Sequence, residues 1–420
     1  MLASHPSFDS KHSPFVEGGR PVVAGDDLYL HDYGLVRWSR SGRKVAWGRK
    51  FATYSEDDHT GANVALTVVS ALLSPGAAGG NIPPDFYVGR TTPPVLAGDR
   101  VVTSAIGIVH ALGAADGRLL WSSDLAVHRT RQLLVRDDRV YALAGGPYVF
   151  WGGRAGLALR DSSRTGLYCL SLEDGQPVAG FAGPWNPNRI VRSLDLSQVE
   201  GWDEDDSWER EEDWADEDAK ARAAGTYAHS ERPLIGMAAT GAGLLVATES
   251  EVALLDYATG AMLATIELGD LGPAALVVVA GNRVLVRTGE GLAGFDAASG
   301  EEVFRRRTGR WEKVAGWADP GHVPFLDVPR WTTFTTIELA ARGSQLLWLD
   351  EDGRLAVVPA AGGGLVGLSL TDGAPQWELA APPFVVKEGS SLLFVDQGGV
   401  EVHRLGPGAS LESEDPVANQ

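Results

Sequence analysis

One phrase returns along this chain: a short apolar run, one or two small polar residues, then a glycine. Residues 252–260 (VALLDYATG) and 291–300 (GLAGFDAASG) end on glycines 40 positions apart. The phrase recurs at 108–117, 167–175 and 365–373, and a degenerate first copy ends at Ser41-Gly42. Trp47, Trp121 and Trp377 follow their glycine by four or five positions, where other copies carry Ala179, Ala264 and Phe304. Ahead of each phrase lies a second one, strand, tight polar turn, strand, as in 22–30 (VVAGDDLYL), 95–102 (VLAGDRVV) and 276–285 (LVVVAGNRVL). Further turns of this kind fall at Asp137-Asp138, Gly241, Gly343 and Gly389, which makes seven units. Gly-Asp and Gly-Asn turns between β-rich runs are hairpin signals.

A unit of about 40 residues that cannot bury its own faces must stack on copies of itself. The expected fold is therefore all-β: a single β-propeller of about seven four-stranded antiparallel blades, with six or eight left open. In each blade the third strand carries the recurring phrase, its glycine turn leads into the fourth, and the tryptophan helps dock the neighbouring blade. The propeller is expected over 1–408, with 409–420 as a disordered tail. The seventh unit has no Thr-Gly turn, and residues around Ser13 to Glu17 are the expected source of its missing strand.

The two phrases together, over roughly residues 18 to 408, resemble the PQQ-like (quinoprotein-type) repeat family. That resemblance implies a propeller. Quinone-binding members pair adjacent cysteines over the cofactor, bind calcium beside it, usually have eight blades and carry a secretory signal. This chain has one cysteine, Cys169, so the resemblance points to a member that does not bind the quinone, and no cofactor is expected.

Insertions break the repeat at about 52–90, 147–164, 184–230, 310–334 and 355–364. Three follow a fourth strand and two lie between second and third strands, which in a meander puts all five at the same face. Long loops on a rigid scaffold are where binding concentrates. Eight of the thirteen tryptophans fall in these insertions. On this decorated face Trp311, Trp317, His322, Trp331 and His59 are candidate contact residues.

Within 200–222 there are twelve carboxylates against three basic residues, nearly half of the chain's net charge of −19. Its aromatic core is 201–214 (GWDEDDSWEREEDW), with Trp202, Trp208 and Trp214 six apart, a spacing that spreads them around a helix and gives no apolar face. An EF-hand alignment from Asp203 puts Trp208 where glycine is needed and Trp214 where the bidentate glutamate is needed, so no calcium loop is expected. The segment reads either as a solvated loop or as one that orders on a basic partner. The expected contact set is Trp202, Asp203, Asp205, Asp206, Trp208, Glu211, Glu212 and Trp214.

Searches for chemistry return little. There is no His-Glu-x-x-His, no Gly-x-Ser-x-Gly and no Walker loop. Residues 362–367 match a dinucleotide pattern but lead into a strand, where no helix dipole would meet a pyrophosphate. No metal site is expected. The acidic balance argues against nucleic acid and anionic membranes as partners. The run Arg305, Arg306, Arg307 and Arg310 is expected to offset nearby acids.

No signal-like segment opens the sequence, so it reads as cytoplasmic. The leading expectation is a protein-interaction scaffold docking a partner, one with a basic surface, through the decorated face; self-association is left open. The rival is a small-molecule hydrolase, lyase or cyclase at the channel mouth, using His59 with Asp57 and Asp58, His322 with Asp319, or His128 or His229.

Overall fold

The computed structural model describes, with short gaps, residues 22–51, 92–194, 219–230, 234–308, 354–379 and 384–405, together with strands Trp317–Ala318, Trp348–Leu349 and Leu411–Glu414. Contacts divide the chain into two units: residues 1–234 with 258–261, and residues 235–257 with 262–420.

The first unit holds three sheets. The first sheet runs Val22–Ala24, Asp27–His31, Gly34–Ser39, Lys44–Lys50, in chain order. The second runs Val95–Ala97, Arg100–Ala105, Ile108–Gly113, Leu119–Asp124, and gains a fifth strand, Arg192–Ser193, on its outer edge. The third has Thr130–Arg136, Arg139–Ala144 and Gly166–Ser171; its 147–164 insertion holds a separate hairpin, Tyr148–Trp151 with Leu157–Arg160.

The second unit holds four sheets. The fourth sheet is Leu234–Ala239, Leu244–Thr248, Glu251–Leu255, Met262–Glu267, and the fifth is Ala274–Ala280, Arg283–Thr288, Gly291–Asp296, Glu302–Arg307. The sixth is Trp348–Leu349, Leu355–Pro359, Leu365–Ser369, Pro375–Leu379. The seventh is Phe384–Glu388, Ser391–Asp396, Gly399–Leu405, Leu411–Glu414, with Trp317–Ala318 joined in parallel to its first strand.

Two expectations are corrected here. Residues 355–359 are a second strand, buried over 355–358, and not part of an insertion: they pair antiparallel with Trp348–Leu349, so the hairpin closes between 349 and 356 rather than at Gly343. The seventh sheet takes its fourth strand from Leu411–Glu414, inside the segment expected as tail; residues 13–17 lie outside the described residues.

Inner strands are apolar on both faces where neighbouring sheets of one unit pack on them. In Arg139–Ala144 every residue after the arginine is buried. One core cluster joins Val102, Val109 and Trp121 of the second sheet to Val140, Ala142 and Tyr168 of the third. His110 is buried in the first unit, stacked on Phe51 with ring centroids 4.4 Å apart and its Nδ1 2.8 Å from Ser122 Oγ.

Burial, with a smaller contribution from Arg49, pushes His110 down to about 3. The folded chain therefore resists a proton that the unfolded chain accepts near 6.5. His110's contribution is intact above pH 6.5 and is lost as the pH falls from there toward 3. We expect His110→Asn to flatten the acid limb of stability by up to about 1.4 kcal/mol per pH unit over that range. Urea titrations from pH 7 to pH 4 check this, and parallel limbs would refute it.

The recurring turn has a common construction. Asp116, Asp174, Thr259, Ser299 and Asp372 each accept, through a side-chain oxygen, the backbone N–H two residues on, at 3.0–3.2 Å. The glycine between adopts φ of +67° to +74° in all five copies, the left-handed region where Cβ crowds the carbonyl. In the first sheet that position is Arg43 (φ +47°), not Gly42, so the tryptophan spacing is uniformly four. Arg43 is exposed, and Arg43→Gly should stabilise the chain by up to about 1 kcal/mol in chemical denaturation.

Five outer ladders also have a bulge just after the turn, at Ala46, Leu120, Leu263, Val303 or Gln376 of the outer strand. The next residue is the docking position. A bulge bends its strand and re-aims a side chain, here onto the following sheet's turn within each unit. Trp47 Nε1 donates to Ala114 O at 3.0 Å and Trp121 Nε1 to Leu172 O at 2.9 Å. Their rings lie over Gly117 and Gly175, and Phe304 lies over Gly373.

Candidate functional site

The second and third sheets carry the ends of the 184–230 insertion. The chain leaves the third sheet through a segment rich in proline, Gln176-Pro-Val-Ala-Gly-Phe-Ala-Gly-Pro-Trp-Asn-Pro-Asn188, which cannot supply a ladder of N–H donors. Side chains substitute for the missing strand. The Asn188 amide accepts from Cys169 N at 3.0 Å and donates to Cys169 O at 2.9 Å, as a paired peptide would. Leu167 N donates to Trp185 O at 2.8 Å, and Asn186 Nδ2 donates to Leu167 O at 3.1 Å. Cys169, beneath this cap, is fully buried, and burial pushes its thiol up to about 12, so it is protonated and inert.

The chain then crosses to the second sheet. Arg192 and Ser193 pair with Asp124 and Ser123, and Leu194 N donates to Ser122 O at 3.0 Å. It returns through one helical turn at 219–223, and Ser230 bridges Thr165 on the third sheet, its N–H donating to Thr165 O at 2.7 Å. His229 is buried beside Tyr168. The Tyr168 hydroxyl has one proton, which it gives to Leu125 O at 2.8 Å. At the 3.1 Å contact with His229, Nε2 is therefore the donor. Leu125 leads into Ala126, a buried alanine at φ +53° whose N–H is held by Asp124 Oδ1 at 2.8 Å. Two anchors, one on each side of the acidic segment, are thus tied to the rims of the second and third sheets.

Of the residues singled out from sequence, Trp202, Asp203, Asp205, Asp206, Trp208, Glu211, Glu212 and Trp214 lie outside the described residues, as do Trp311, His322, Trp331 and His59. Trp317 is described as strand, in parallel register with Val385. The basic run is occupied locally. Arg305 pairs with Glu302 and Arg307 with Glu290, each at 2.8 Å, while Arg306 Nε donates to Gly373 O at 2.9 Å.

Sequence reasoning missed a second latch. Arg100, Arg139 and Arg283 each open a second strand after a Gly-Asp, Asp-Asp or Gly-Asn turn. Arg100 donates to Leu172 O and Glu173 O, Arg139 to Ala258 O, and Arg283 to Leu370 O and Thr371 O. The repeated Arg-Val after each turn was the available signal. Among the described residues no group of three or more metal-ligating side chains converges, and no helix is long and apolar enough to cross a membrane.

Meanders of three or four strands in chain order, with Trp47, Trp121 and Phe304 each seated on a following glycine turn, define a β-propeller of PQQ-like repeats. The family model described as outer membrane protein assembly factor BamB matches residues 74–167 and 189–398, and the chain belongs to that family. Among solved structures it is similar to BamB from Moraxella catarrhalis, at 14% identity and a TM-score of 0.44 over 95% of this chain and 85% of that one. It is also similar to a europium-containing methanol dehydrogenase, at 10% identity and 0.44 over 94% and 77%. A third is the β-propeller domain of Cps50 (Swd1) from Myceliophteria thermophila, at 11% and 0.39 over 92% and 98%. No curated protein matches the chain.

Proposed function

We propose that this protein is an interaction propeller of about seven blades that docks a partner protein through its insertion-bearing face, with the acidic-aromatic segment 200–218 as the principal contact. The carrying observation is the pair of anchors. Arg192–Ser193 on one side and His229-Ser230 on the other tie the insertion to the second and third sheets. Anchoring costs conformational entropy, and that expenditure makes sense where a segment has to be presented from a fixed place. The segment's charge selects a partner with a basic surface, and its tryptophans supply the large contact area on which interfaces depend. The family's description, an assembly factor for outer membrane proteins, is in keeping with work done by binding other proteins.

The test compares the intact chain with a variant whose residues 200–217 are replaced by a Gly/Ser linker, both anchors kept. A partner retained by the intact chain, lost by the variant and released by raised salt supports the reading. The same partner held equally by both, with equal thermal stability, would overturn the role of the insert.

A further inference from the structure

The outer edges of the sheets are protected in different ways, and one is left open. The first sheet's outer strand carries Lys44, Arg49 and Lys50; the fifth carries Arg305, Arg306 and Arg307; the sixth carries Pro375 and Glu378; the seventh is short, with Glu412 and Glu414. Arg192–Ser193 covers the outer edge of the second sheet, and Asn188 with Trp185 covers that of the third. Charges, proline and cover are the usual defences of an exposed strand edge. The fourth sheet's outer strand, Met262–Glu267, has no charge before its last residue, no proline and no covering segment among the described residues; only its last carbonyl is taken, Glu267 O accepting from Arg305 Nη2 at 2.7 Å. It shares the bulge of the other ladders, at Leu263, and beyond it Ala264–Glu267 run in regular register. Met262 and Leu263 are 45% and 53% exposed, and Ala264, Thr265 and Glu267 are exposed as well.

A second observation bears on what fits there. Glu267 stands directly opposite Glu251 on the neighbouring strand. Like charges so placed repel, and among the described residues neither carboxylate has a cation within salt-bridge distance. A lysine or arginine laid beside Glu267 would relieve that repulsion.

We propose that Met262–Glu267 is a strand-addition site for an extended segment of a partner protein. The segment pairs antiparallel to it, with a basic residue at its N-terminal end beside Glu267 and apolar residues over Ile266, Ala264 and Met262. The occupant is specified by that charge and that alternation. This site is independent of the acidic insert.

The probe is the peptide acetyl-Lys-Val-Thr-Val-Thr-Val-amide, titrated onto the full chain by NMR or calorimetry. Saturable binding with a Kd below about 1 mM is expected, unchanged in the 200–217 linker variant. Thr265→Lys places on this exposed position the charge that other edges carry and should weaken binding at least tenfold, with an unchanged melting temperature. Glu267→Gln should weaken the lysine peptide but not its counterpart with threonine in the first position. No saturable binding by the intact chain, or equal binding by Thr265→Lys, overturns the proposal. Self-association in ultracentrifugation that Thr265→Lys abolishes would assign the edge to a second copy and overturn the partner assignment.

Discussion

Gly175→Ala is expected to lower stability by about 2–5 kcal/mol. Two costs add. The residue sits at φ +72°, where an L side chain costs about 1–2 kcal/mol. The new Cβ would lie 2.5 Å from both Trp121 Cε3 and Ser123 Oγ, and overpacking of that kind costs about 1–3 kcal/mol more. Gly98→Ala is the matched control: its φ is +61°, but nothing lies within 4 Å of the added carbon, so it should pay the backbone cost alone. Urea titrations of the two variants separate the terms. Equal losses would mean that the tryptophan seat is soft and contributes little to holding the second and third sheets together.

Asn188→Ala is the other large effect, expected at about 1–3 kcal/mol. The substitution leaves the Cys169 N–H without its acceptor, and an unsatisfied buried group costs about 1–3 kcal/mol, while the Cys169 carbonyl keeps the N–H of Val178 at 2.9 Å. Asn188→Asp should do no better, since a carboxylate can accept from Cys169 N–H but faces the Cys169 carbonyl with no proton to give. Cys169 reports on the outcome directly. Its thiol is buried and protonated in the native protein, so modification by a thiol reagent should be slow in the parent and many times faster in Asn188→Ala. A variant with native stability and an inert thiol would show that the surrounding backbone closes over the gap.

The fold was largely legible in the sequence because its determinants are local and repeated. Gly-Asp hairpins, the glycine turn and the following tryptophan recur often enough to be read against one another. Legibility failed where a copy departs from the others. In the first sheet the glycine is displaced by one and Arg43 takes the left-handed position. In the sixth, two Gly-containing stretches, at Gly343 and at Asp352-Gly353, offered themselves as the turn, and the observed pairing of Trp348–Leu349 with 356–357 excludes the first. Asn188 and the Arg100, Arg139 and Arg283 latches were present as letters, but their meaning is a hydrogen bond to backbone far along the chain, which no periodicity reports. The candidate site was legible only as a run of charge. Its anchors rest on two-residue pairings, Arg192–Ser193 and Thr165 with Ser230, too short to leave a pattern.

The turn-reading contacts also set a timetable for synthesis. Trp121 and its acceptor Leu172 are 51 residues apart and Trp47 and Ala114 are 67, but Arg139 and Ala258 are 119 apart. At roughly 5–20 residues per second of translation, the first two donors wait about 3–13 s for their acceptors, and Arg139 waits about 6–24 s. The insertion between them is what lengthens that delay. Of these three contacts the third sheet's stays unmade longest on the ribosome, and it is a flank on which a nascent chain of this protein would need a chaperone.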